Sequence, residues 1–131
     1  MAGGASPPAI PVHGVVSLVG ICDLAEGVRR NLCGGACAEI VGGSPEEVPH
    51  RYQQASPIAL FPLGVRQWHL VGLEDTLVPA DYVKHCVAAA GTHDDVQLEM
   101  LAGAGHFEPI VPADPAWSAV RHAVLALLEK L

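Results

Sequence analysis

HGVVSLVGICDL, residues 13 to 24, decides the fold. Val15, Val16, Leu18, Val19 and Ile21 form a nearly continuous apolar run, without the alternation that marks a strand with one wet face. A strand apolar on both faces is what a parallel sheet covered by helices requires. Asp23 follows, at what would be the C-terminal end of that strand.

Working outward, VRQWHLVGLED (65–75) supplies a second strand over about 66–73. VQLEML (96–101) alternates apolar and polar, as an edge or half-buried strand does. Between the first two strands the chain is mixed. A short helix is expected around 24–33, broken by Gly34 and Gly35, with another piece running to Val41. Ser44, Pro45 and Glu47 have the spacing of a capping box, which predicts a helix start limited by Pro49. A further helix over 79–90 opens at Pro79 and stops at Gly91. The last helix is the clearest: Asp114 caps it, Pro115 opens it, and Trp117, Val120, Val124, Leu127, Leu128 and Leu131 share one stripe. The order strand, helical segment, strand, helix, strand, helix predicts an α/β fold: three parallel strands with right-handed crossovers, flanked by helices. Residues 1–12, rich in Gly, Ala and Pro, read as a loose leader, and 13–131 as one domain.

The 131 residues carry a net charge of −7, with 16% charged residues and half of the chain apolar. A chain of this size can bury roughly two-thirds of its unfolded surface. No Lys/Arg block occurs, which argues against a nucleic-acid or anionic-membrane partner. The apolar runs are too short to span a bilayer, and the first eleven residues lack the basic and apolar regions of a signal peptide. A cytoplasmic location is therefore expected, with the four cysteines reduced. Cys22 and Cys86 read as small core residues. Cys33 and Cys37, spaced CxxxC without a second Cys/His pair, read as packing rather than zinc. No cofactor is implied.

In parallel sheets, chemistry collects at the C-terminal ends of the strands. Asp75 lies just past the second strand and His106 just past the third. A carboxylate on one imidazole nitrogen fixes the tautomer and stabilises the imidazolium, leaving the other nitrogen to take a proton. Gly103 and Gly105 would allow the tight backbone path that presents the ring. The remaining histidines show no HxxxH or HExxH spacing. His93, Asp94 and Asp95 read as a solvated loop rather than a metal site.

Several of these segments resemble α/β-hydrolases. GLEDTLVP (72–79) looks like the segment carrying the acid, and AGAGHFE (102–108) like the segment carrying the histidine. VGGSPEEVPHRYQQASP (41–57) and VVSLVGICDL resemble the esterase/lipase and acyl-peptidase-like branch. The resemblance runs from about residue 12 to the end. It implies Asp75 as triad acid and His106 as triad base. It also implies that the first strand here is the family's sixth, so that the chain is similar to the C-terminal half of a hydrolase.

The family's G-x-S-x-G nucleophile elbow has no counterpart. The nearest string, Gly42-Gly43-Ser44-Pro45-Glu46, lacks the second glycine, and Pro45 has no N–H for an oxyanion. Ser44 reads as a helix cap and Ser56 as part of a structural Ala-Ser-Pro turn. Ser17 and Ser118 read as packed or solvated. Ser6, in the leader, and Cys22, at the end of the first strand, are the remaining substitutes.

Three functions follow from different classes. One is a slow, promiscuous hydrolase acting on activated short-chain carboxylic esters through an Asp75–His106 dyad. Another is a non-catalytic remnant that oligomerises through its exposed edge, and the third is one half of a split Ser hydrolase. The first strand would lack a neighbour on its outer side, which invites pairing with another chain. A homodimer or higher assembly through residues 13–21 is expected.

Overall fold

The computed structural model describes residues 9–131. Most of the expected leader, and Ser6 with it, lies outside the described residues. Three strands, β1 (Gly14–Leu18), β2 (Arg66–Gly72) and β3 (Val96–Leu101), form one sheet in the order β1-β2-β3. Both pairings are parallel: Gly14 sits opposite Arg66 and Leu18 opposite Leu70, and Gln67 pairs with Val96 and Gly72 with Leu101. Between β1 and β2 run three short helices, α1 (Leu24–Arg29), α2 (Ala36–Val41) and α3 (Pro49–Ala55). The longer α4 (Ala80–Ala90) joins β2 to β3, and α5 (Ala116–Leu128) follows β3. The expected α/β architecture is the one found.

The central strand shows why the sheet must be covered on two sides. Leu70 and Val71 are adjacent and both fully buried, and strand periodicity sends them to opposite faces. Val71 packs with Tyr82, Val83 and Cys86 of α4. Leu70 packs with Leu101, Val120 and Ala123, the last two from α5. Tyr82 ties α4 to the start of α1, because its hydroxyl donates to the carbonyl of the capping residue Asp23 (2.7 Å) and accepts from the Asp23 N–H (3.0 Å). Burial pushes this phenol up to about 12.

The structure departs from the expectations at four places. β1 is shorter than 13–21, because Val19 turns into the left-handed region (φ 55°) that β-branched residues rarely adopt, and the hydroxyl of Ser17 accepts from the Gly20 N–H to close the turn. β1 is also less buried than a two-faced core strand should be, and Val15 is partly exposed beside an outer edge with no partner among the described residues. The Ser44–Glu47 box forms, with both reciprocal bonds (2.8 and 3.2 Å), but it closes only a turn. The helix starts at Pro49, so the proline expected to limit a helix instead opens one.

The fourth departure concerns the cysteines. Cys22 and Cys86, expected to be reduced, are joined in a disulfide, while Cys33 is free and exposed and Cys37 free and buried. Their apolar surroundings are as expected; their bonding is not, because a contact between positions 64 residues apart is a property of the fold rather than of the local sequence. No helix among the described residues is long and apolar enough to cross a membrane.

Candidate active site

Asp75 sits on the turn that leaves β2. Its Oδ1 accepts from the N–H groups of Leu77 (2.9 Å) and Val78 (2.8 Å), so the carboxylate organises its own loop. Its Oδ2 lies 2.8 Å from Nδ1 of His106. The Asp75 side chain is fully buried, whereas that of His106 is 27% exposed. A buried carboxylate needs partners for both oxygens, and here every one of them donates. The hydrogen bond requires the proton on Nδ1 in the neutral ring, which leaves the Nε2 lone pair as the free acceptor. The ring also meets Phe107 edge-on, at 5.0 Å between centroids.

The two loops meet because Gly72 has no side chain. A Cβ there would lie 2.1 Å from the carbonyl oxygen of Ala104 and 2.5 Å from that of Gly105. This close approach lets the Glu74 N–H donate to the Ala104 carbonyl at 3.0 Å, locking the second loop to the first. Gly103 takes the left-handed conformation (φ 73°) that the turn out of β3 demands. Sequence reasoning credited Gly103 and Gly105 and missed Gly72. The available signal was a glycine closing an apolar strand immediately before the acid-bearing loop.

Other candidates are occupied elsewhere. The hydroxyl of Ser44 accepts from the Glu47 N–H, that of Ser56 accepts from the Leu24 N–H, and that of Ser118 donates to the Pro115 carbonyl. The sulfur of Cys22 is in the disulfide. Among the described residues, no hydroxyl or thiol hydrogen-bonds Nε2 of His106. Asp94 accepts from the N–H groups of Leu63 and Gly64 and from the Gln67 side chain, which accounts for its place in the loop before β3. No group of three or more His, Cys, Asp or Glu that could hold a metal ion occurs among the described residues. A second imidazole–carboxylate contact, His85 Nε2 to Asp23 Oδ2 at 3.0 Å, was not anticipated. The His85 side chain is about half exposed, and Asp23 also caps α1 through the Glu26 N–H.

Several large apolar side chains close in sequence to Asp75 and His106 are exposed: Leu73 and Leu77 on the acid's loop, and Phe107, Ile110 and Val111 after the histidine. A separate groove of about 500 Å³ runs beside β1, between Pro11, Val12 and Val16 on one side and Val124, Leu127 and Leu131 on the other.

No protein-family model and no curated protein sequence matches the chain. Solved structures do. A puromycin hydrolase is similar at 25% identity with a TM-score of 0.56, over 71% of this chain and 14% of that one. A thermophilic esterase from Thermogutta terrifontis with propionate bound gives 19% identity and a TM-score of 0.61, over 89% of this chain and 42% of that one. A bifunctional GH43-CE protein from Bacteroides eggerthii gives 16% identity and a TM-score of 0.66, over 90% and 16%. This chain therefore spans well under half the length of each. Its fold, three parallel strands flanked by helices, matches a truncated α/β-hydrolase fold, and the proteins it resembles structurally include a puromycin hydrolase and an esterase.

Proposed function

We propose that the chain is a hydrolase-type protein acting on activated, short-chain carboxylic esters, with Asp75 and His106 as its dyad. The observation that carries this reading is the 2.8 Å contact between Asp75 and Nδ1 of His106, with the carboxylate buried and the imidazole reaching solvent. In this role Asp75 holds the tautomer and stabilises the imidazolium, and Nε2 takes a proton from water as it attacks the ester carbonyl. Phe107, exposed and edge-on to the His106 ring, offers an apolar surface for an acyl or aryl group. With no G-x-S-x-G elbow in the sequence and no oxyanion hole beside His106 among the described residues, the reaction is slow and promiscuous, since one lost oxyanion donor alone costs about 100- to 1000-fold. The test is hydrolysis of p-nitrophenyl acetate by the purified chain. Activity that disappears in His106→Ala supports the dyad, and activity that survives there rules it out.

A second reading draws on the outer edge of β1. Its backbone groups have no partner among the described residues, and an apolar groove lies alongside. Such an edge accepts another strand. A second copy of this chain would make it a homodimer. A different polypeptide bearing the Ser nucleophile would make it half of a split hydrolase. Sedimentation separates the cases: a dimer favours self-pairing, whereas a stable monomer with no partner counts against an interaction module. A cytoplasmic location would leave Cys22 and Cys86 reduced, so the thiol content of freshly isolated protein tests that part of the reading.

A further inference from the structure

The peptide group between Ala104 and Gly105, one residue ahead of His106, is held at both ends. Its carbonyl oxygen accepts from the Glu74 N–H at 3.0 Å. Its N–H donates to Oε2 of Glu108 at 2.9 Å. The first bond belongs to the contact between the two loops. The second is local: Glu108 opens the short 3-10 turn Glu108–Ile110, and its side chain reaches back three residues. The ring it closes contains His106 and Phe107. A free peptide plane can rotate with compensating changes in the dihedrals on either side, which would carry the following residues with it. With both polar groups engaged, that rotation breaks two hydrogen bonds. The site is tight as well as tied, since a Cβ on Gly105 would come within 3.0 Å of the same Glu108 oxygen.

We propose that Glu108 is a positioning residue for the site: by holding the Gly105 N–H it fixes the loop that delivers the His106 imidazole to Asp75. This rests on reading His106 as the base, but it concerns the ring's placement, which can be observed without turnover. What the loop needs from Glu108 is an acceptor oxygen, not a negative charge. A glutamine, whose side-chain carbonyl accepts, therefore preserves the arrangement, and an alanine does not.

The test is nuclear magnetic resonance of the histidine ring protons, with the His106 signal assigned by its loss in H106Q. In the wild-type chain, the Nδ1–H proton held on Asp75 is expected to be protected from exchange with water. It is expected to be lost in E108A and retained in E108Q. If circular dichroism shows that E108A has not folded, E108D replaces it; its carboxylate, one methylene shorter, falls short of the amide, so loss of the signal is again expected. Retention in the alanine or aspartate variant overturns the proposal. So does equal loss in E108Q, which would mean that charge is what matters, and so does a wild-type ring whose Nδ1–H already exchanges freely. Ester hydrolysis is read on the same samples. If the wild type has none, the hydrolase reading fails while the resonance comparison still decides the role of Glu108.

Discussion

His106 and Asp75 come from loops after adjacent parallel strands and meet at 2.8 Å, with the carboxylate sealed from water and the imidazole reaching it. Asp75→Asn separates the two jobs of the acid. The amide oxygen can still accept from Leu77 and Val78, so the loop should hold, but the NH2 group then faces Nδ1 and forces the proton to Nε2. Any ester hydrolysis by this dyad should fall about 100-fold or more, with little change in thermal midpoint. Asp75→Ala, by contrast, strands buried N–H groups and should cost on the order of 3 kcal/mol. Steady-state rates and denaturant titrations of the two variants check this.

Gly72→Ala should damage fold and site together. Both nearest atoms are backbone oxygens, which cannot swing aside. A loss of roughly 2–3 kcal/mol in stability is expected, along with the protected His106 ring proton. A thermal midpoint unchanged from wild type would refute the close approach.

The Cys22–Cys86 bond closes a loop of 64 residues. Chain-entropy bookkeeping puts its contribution at about 4 kcal/mol, so reductant or Cys86→Ala should lower the denaturation midpoint accordingly. Thiol titration of the native oxidised chain should find Cys33 reacting quickly. Cys37 should react only on unfolding, because burial both hides its sulfur and raises its pKa.

His69 supplies a pH dependence. It is buried, with Nε2 on the Oε1 of Gln67, and burial pulls its pKa below the usual histidine value. The unfolded chain then binds the proton more readily than the folded one. Stability is full above the unfolded pKa of about 6.5 and falls as pH drops through it toward the lower folded value. Unfolding curves from pH 8 to pH 5 should show this loss, and His69→Gln should reduce it.

If β1 is a docking edge, a charge on it should disfavour pairing. Val15→Lys, at a partly exposed position of β1, should shift any dimer toward monomer in sedimentation without unfolding the chain. An unchanged association constant would remove this edge from consideration.

What was legible in the sequence was what periodicity encodes. The second strand, the alternating β3 and the stripe of α5 are readable within a few residues, and with them the places where Asp75 and His106 emerge. The segment from 24 to 55 was harder, because three helices of six or seven residues are too short to establish a period, and Pro49 can stop one helix or start another. The role of Gly72 and the pairing of Cys22 with Cys86 were missed for a different reason. Each owes its meaning to a neighbour that only folding brings near: the Ala104 carbonyl in one case, a sulfur 64 residues away in the other.

The bond between Cys22 and Cys86 brackets everything from α1 through the acid-bearing turn to the first half of α4. A protease that nicks the chain anywhere in that bracket does not release a fragment, because the two pieces remain joined through sulfur. Such a clipped molecule would migrate as one band on a non-reducing gel and as two once thiol is added. Even a cut between Asp75 and Cys86 would leave the piece bearing Asp75 attached to the piece bearing His106.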